Sequence, residues 1–281
     1  MHKSIHNSYI IVGIVLLLGT MASTAYANHA WGKYHWNLST AVTIANPLDL
    51  GNNLSTSEWQ QSLTGASLDW SQSVLKTEVA VGGSDANCKP TAGRVEICNG
   101  GYGDNGWLGI ASIWASRKDS HITQGTVKLN DTYFSEPKYN TTAWKNLVMC
   151  QEVGHTFGLD HQDTDFLNTN LGTCMDYTND PDGSLFGQLN NEHPNTHDYD
   201  MLATIYAHLN GTTSSGPGRK SNRITSNNTN VNLNNPSTWG EAIQKDAQGR
   251  NAVFVKNIDT DTVIITHVLW TPDTETSRTN K

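Results

Sequence analysis

The chain has 281 residues, with 18 basic and 26 acidic side chains and a formal charge of -8. That acidic balance excludes a phosphate-backbone partner, so no nucleic acid is expected, and the length suffices for one sizeable core with a small appendage. An abundance of Asn, Thr, Ser and Gly fits an extracellular protein with long polar loops.

Residues 1–27 read as a secretory signal: Lys3 near the start, an apolar run over residues 10–18, then Ala25-Tyr26-Ala27 as a small-residue cleavage site. The apolar run is shorter than the roughly 20 residues a bilayer span requires, so a retained anchor is the lesser reading and no stable membrane insertion is expected. The mature chain then begins at Asn28; the signal removes Lys3 and no acid, which takes the charge from -8 to -9. The protein is expected to be secreted and monomeric.

Residues 41–44, Ala-Val-Thr-Ile, predict a first strand, and no inhibitory segment is expected between the signal and this strand. Ser55-Thr56-Ser57-Glu58 is a capping box, after which Trp59, Leu63, Ala66, Trp70 and Val74 recur at helical spacing as a core stripe. Residues 78–81 predict a second strand. The glycine-rich stretch 100–106 reads as a plain turn in preference to a calcium or substrate-rim loop. Residues 107–114 and 126–129 predict further strands, and Thr141 or Thr142 caps a helix with Trp144, Leu147, Val148 and Val153 on its apolar side.

That helix carries Cys150-Gln151-Glu152-Val153-Gly154-His155, followed by Thr156-Phe157-Gly158-Leu159-Asp160-His161. Gln151 and His155 stand four residues apart and so share one helical face. Gly158 falls where a helix can end in a left-handed residue, which lets His161 return toward the same point. Three metal donors, Gln151, His155 and His161, thus converge, with Glu152 beside them as a general base.

The pattern resembles the long zinc signature of the metzincin metalloproteases, with Gln151 where that family usually has its first histidine. Thr173-Cys174-Met175-Asp176-Tyr177 resembles the Met-turn that lies beneath the metal in those enzymes. Glutamine in this slot is found among gametolysin-like members, so the resemblance implies a tolerated but weaker donor. It implies zinc, with another transition metal such as copper as the alternative.

The resemblance also implies an α+β fold: a metzincin-like twisted mixed sheet with an active-site helix and a C-terminal helix. The implied activity is a metal-dependent endopeptidase acting on protein or peptide substrates. In it Glu152 accepts a proton from the attacking water, Tyr177 ligates the metal or stabilises the oxyanion, and Met175 forms a packing floor. A catalytically inactive secreted binding protein on the same scaffold is the competing class. The strand over 107–114 would border the cleft and pair with an extended substrate, for which Gly109 and Ala111 leave room, with a merely buried strand as the alternative.

Four cysteines in an exported chain suggest two disulfides, with three pairings possible on paper. Cys88 with Cys98 and Cys150 with Cys174 are favoured. The second would tie the residue before Gln151 to the residue before Met175 and contribute about 3 kcal/mol by loop closure. Beyond the Met-turn, residues 179–183 form a turn-rich loop, and Asn195 or Thr196 starts a last helix with Tyr199, Leu202, Tyr206 and Leu209 buried. His193, His197 and His208 near that helix are read as ordinary histidines.

The expected domains are a signal peptide at 1–27, a catalytic domain at 28–210, a linker at 211–218 and a C-terminal β-hairpin extension at 219–281. The hairpin pairs residues 251–258 with 262–270, and the extension either packs on the catalytic unit or serves as a small binding appendage.

Overall fold

The computed structural model describes residues 29–37, 47–84, 87–207 and 232–272. The expected signal peptide, the strand expected at 41–44, the linker and His208 lie outside them. The described elements form a mixed sheet carrying a few helices. In chain order they are β1 (His35–Trp36), β2 (Leu48–Asn53), α1 (Ser57–Trp70), β3 (Thr77–Val81), β4 (Val95–Gly100), β5 (Trp107–Ser116) and β6 (His121–Asn130). There follow α2 (Asp131–Phe134), α3 (Thr142–His155), α4 (Thr196–Ile205), β7 (Glu241–Lys245), β8 (Asn251–Asn257) and β9 (Thr262–Trp270).

Among the described residues the strands join one sheet in the order β3-β2-β4-β6-β5-β9-β8-β7, with β1 paired to β6. The ladders β2–β3, β2–β4 and β4–β6 are parallel, and β5 runs antiparallel to β6. Helices α1 and α3 pack on one face of this half, where Leu50, Trp59, Leu63, Trp70, Val127 and Val148 are buried in one continuous core. A smaller cluster of Trp107, Ile110, Leu233, Trp239, Phe254 and Val268 lies on the other side of β5 and β9, as their period-2 alternation requires.

Helix α1 starts one residue later than the capping-box pattern predicts. Its cap is Thr56, whose hydroxyl accepts from the Trp59 backbone N–H, whereas Ser55 is drawn off to Asn99, whose Oδ1 lies 2.8 Å from the Ser55 amide. The helix also ends at Trp70, so Val74 leaves the stripe and is exposed, and Leu75 is buried in its place. The last helix begins with the predicted cap: Asn195 accepts from the His197 and Asp198 amides, and the Asp198 side chain returns a bond to the Asn195 backbone.

The largest departure concerns β5. The strand expected to offer a free edge to an extended peptide is paired along its length: β9 runs antiparallel to it from Trp107↔Trp270 to Ser116↔Thr262. The expected C-terminal hairpin does form, with β8 and β9 paired around the turn at Asp259 and Asp261, but it is not an isolated pair. Together with β7 it continues the main sheet through β5. The reason is compositional. Residues 263–269 of β9 are all buried, and a two-stranded hairpin cannot bury both faces of such a strand alone.

Candidate metal centre

Helix α3 is anchored at its start by Thr141, whose hydroxyl accepts from the Trp144 backbone N–H at 3.2 Å, and every residue from Leu147 to His155 is buried. A helix buried on all sides in its last turns needs its neighbours to come close, and Gly154 permits this. A Cβ there would lie 2.7 Å from the Met175 sulfur and 2.7 Å from the Trp70 ring. Met175 therefore packs directly beneath the helix, as a floor and not as a donor. The disulfides Cys88–Cys98 and Cys150–Cys174 are both present, and the second fastens the helix to the turn that carries Met175.

Gly158 terminates this segment with φ +100, and a Cβ there would collide with the Tyr34 carbonyl oxygen. The chain turns, and two imidazoles meet. His155 Nδ1 lies 2.8 Å from the Leu159 carbonyl; since a carbonyl only accepts, Nδ1 carries the proton and the Nε2 lone pair faces inward. His161 Nε2 stands 2.9 Å from His155 Nε2, while its Nδ1 lies 3.4 Å from an Asp160 carboxylate oxygen. Burial tends to raise the Asp160 carboxyl, but its hydrogen bond to His161 and the nearby imidazole charge outweigh that and hold it below the usual range.

A third imidazole arrives from a distant part of the chain. His267, on β9, stacks on the His155 ring with centroids 4.1 Å apart and planes 15° from parallel. Nitrogen atoms of His155, His161 and His267 all lie within 4.8 Å of one another. His267 is 1% exposed and neither of its ring nitrogens has a hydrogen-bond partner. Burial, followed by the neighbouring imidazoles His267 and His161, pushes His155 well below the ordinary histidine value. Burial is also the foremost cause that pushes His267 down to about 3. Both rings are therefore neutral near pH 7 and present lone pairs.

His267 belongs to no motif in the sequence. The only local signal is an ionisable side chain in the apolar run Val263-Ile264-Ile265-Thr266-His267-Val268-Leu269, and a buried histidine in a strand is ordinarily a core residue.

Gln151 shares the His155 face of α3, is fully buried, and has neither amide atom hydrogen-bonded. Glu152 is equally buried, and neither of its carboxylate oxygens has a hydrogen-bond partner; burial raises its carboxyl well above the ordinary value, tempered by the Ala111 backbone amide. It lies against β5 at Gly109, where a Cβ would stand 2.5 Å from Glu152 Oε1 and 2.7 Å from Val148 Cγ1. Gly109 is therefore small because α3 presses on it, and not to admit a peptide at an open edge. Ala111 pairs with His267 in register, so the imidazole lies on the same face as these small residues.

Tyr177 packs its ring against His161, with centroids 4.6 Å apart, and its hydroxyl donates to the Val268 carbonyl at 3.3 Å. Burial raises its phenol well above the ordinary value. Among the described residues, His193 and His197 have partners of their own. His193 contacts Asp69 at 2.6 Å, and His197 stacks on His29. The glycine-rich loop is a pinned turn: Asn130 donates to the Gly103 carbonyl at 2.9 Å, and the Tyr133 hydroxyl donates to Asp104 at 2.6 Å.

The chemistry of this donor set fits a divalent cation of the zinc class. Buried polar atoms without partners cost free energy, and here an amide, a carboxylate and an imidazole are all left so. Two Nε2 atoms 2.9 Å apart need a shared proton or a cation between them. Ligands about 2.0 to 2.1 Å from a tetrahedral zinc stand about 3.3 Å from one another, a spacing the observed separations bracket.

No family model matches the chain, and no curated protein matches it. Among solved structures the chain is similar to that of myroilysin, with a TM-score of 0.32 and 10% sequence identity, over 57% of this chain and 79% of that one. A likeness at that level assigns no activity, and the functional reading rests on the residues themselves. Among the described residues no helix is long and apolar enough to cross a membrane.

Proposed function

We propose that the chain is a secreted metal-dependent endopeptidase of metzincin-like fold that cleaves protein or peptide substrates. The observation that carries this reading is Glu152, a fully buried carboxyl group with no well-formed hydrogen bond and the Ala111 backbone amide as its polar neighbour, one residue from Gln151 and one helical turn from His155. A lone carboxylate in such a place costs several kcal/mol and has no structural use that would offset it. Burial raises its affinity for protons, so that a nearby cation would be needed to return it to the carboxylate form that accepts a proton from water.

His155 and His161 would hold the ion, with Gln151 in the position usually taken by a further histidine; zinc fits these donors, and copper is the alternative. When bound, the ion supplies Lewis acidity that polarises a carbonyl and makes water a better nucleophile. Glu152 takes the proton of the attacking water at its carboxylate and delivers it to the departing amine nitrogen. Tyr177 would donate its hydroxyl to the carbonyl oxygen as negative charge develops there, on leaving the Val268 carbonyl that it bonds in this structure. The Leu159 carbonyl keeps His155 in one tautomer throughout.

A second reading, a metal-binding secreted protein without proteolysis, is favoured by one observation. Gln151, Glu152, His155, His161 and His267 are each at most 7% exposed. Opening of the site would then limit turnover. Purified mature protein is expected to carry one ion and to digest casein slowly, with loss of digestion on chelation. Glu152→Ala should lower cleavage by about 1,000-fold or more while leaving the ion bound. Absence of digestion in the wild type selects the second reading, and equal digestion in the variant removes Glu152 from the mechanism.

A further inference from the structure

We infer that His267 is the third imidazole ligand of the metal, supplied by the C-terminal strand to make up for the histidine that Gln151 replaces. The inference rests on the metal centre of the preceding section but not on its proteolytic activity. Gln151 leaves the helix with one imidazole, at His155, and the loop after it adds His161. A neutral amide is a poorer donor than an imidazole, so a site of Gln151, His155 and His161 alone is weak for zinc. His267, whose ring stacks on His155 in this structure, restores the count of three imidazoles from outside the motif when it turns one nitrogen toward the ion.

Three observations place it there, each separate from the motif. The strand is held in register: Ala111 lies opposite His267 on one side and Val253 on the other, so residue 267 projects from a fixed point of the sheet. The side chain of the preceding residue reinforces this, since Thr266 lies 3.0 Å from Ser112 across the β5–β9 ladder. Second, the residue directly opposite His267 on β5 is Ala111, whose small side chain leaves room for an imidazole on that face. Third, both His267 nitrogens are buried and unbonded, although a backbone carbonyl or a hydroxyl would satisfy either in an ordinary core histidine. The Trp31 indole covers the ring from the side, with centroids 4.3 Å apart. A three-imidazole centre keeps a fourth tetrahedral position for a water or substrate oxygen, whereas Gln151 and His267 binding together would leave none. Gln151 is accordingly assigned outside the ligand set.

The test is metal binding by the full mature chain, measured by competition with a chromophoric chelator for zinc and by electron paramagnetic resonance for copper. His267→Ala should weaken zinc binding by about a hundredfold or more, as His155→Ala does, while Gln151→Ala should change it by less than about threefold. The copper-loaded wild type should show three coupled nitrogens and His267→Ala two. Wild-type zinc affinity and an unchanged nitrogen count in His267→Ala would overturn the assignment. Should that variant fail to fold, X-ray absorption on the zinc-loaded wild type decides: three imidazoles support the assignment and two refute it. If His267→Ala keeps its zinc and digests casein, only the assignment of residue 267 fails. If the wild type binds no ion, the metal centre and the endopeptidase reading fail with it.

Discussion

The two ends of the sheet's first half are finished in opposite ways. At one end β3 is a five-residue strand with Val79 and Val81 exposed at 38% and 89%, a short edge that stops the sheet. At the other end β5 is ten residues long, buried over residues 107–113, and hands the sheet on to β9, β8 and finally β7, which again is short and half exposed. The contrast shows that β5 is built as an interior strand. A peptide that reached the histidines would have to do so without adding itself to β5, or would first have to displace β9.

The most severe way to test this difference is a charge in β9. Ile265 is fully buried and faces the core shared with α1 and α3, so Ile265→Asp should cost about 4 kcal/mol or more and abolish the folding transition seen by near-UV circular dichroism. A folded variant with an unchanged melting point would mean that the C-terminal strands are an appendage after all. A milder probe is Gly109→Ala, whose new methyl would meet Glu152 and Val148 at under 3 Å. It should destabilise by about 1 to 3 kcal/mol in urea melts, whereas a glycine serving only an open edge would tolerate alanine. The smallest effect belongs to the other end: Val81→Lys on β3 should shift stability by no more than about 0.5 kcal/mol.

What was legible in the sequence was local. Helix α3, its cap, the turn at Gly158 and the last helix's Asn195 cap follow from neighbouring residues within one or two turns. The strands β2 and β4 were not legible, because Leu-Asp-Leu-Gly-Asn-Asn and Val-Glu-Ile-Cys-Asn-Gly alternate poorly and owe their strand character to parallel neighbours on both sides. Ser55 illustrates the same limit at a helix start, where a contact with Asn99 outweighs the local box. At the site, Gln151, Glu152, His155 and His161 form one contiguous pattern, while His267 depends on the pairing of two strands more than a hundred residues apart, a fact no short window contains.

That separation has a bearing on the order in which the protein is made. The helix and its following loop emerge from the ribosome well before β9 exists, so the histidine cluster is incomplete during most of synthesis. The cluster assembles only once the sheet has closed on its final strand, which ties its completion to the quality of folding of the entire chain.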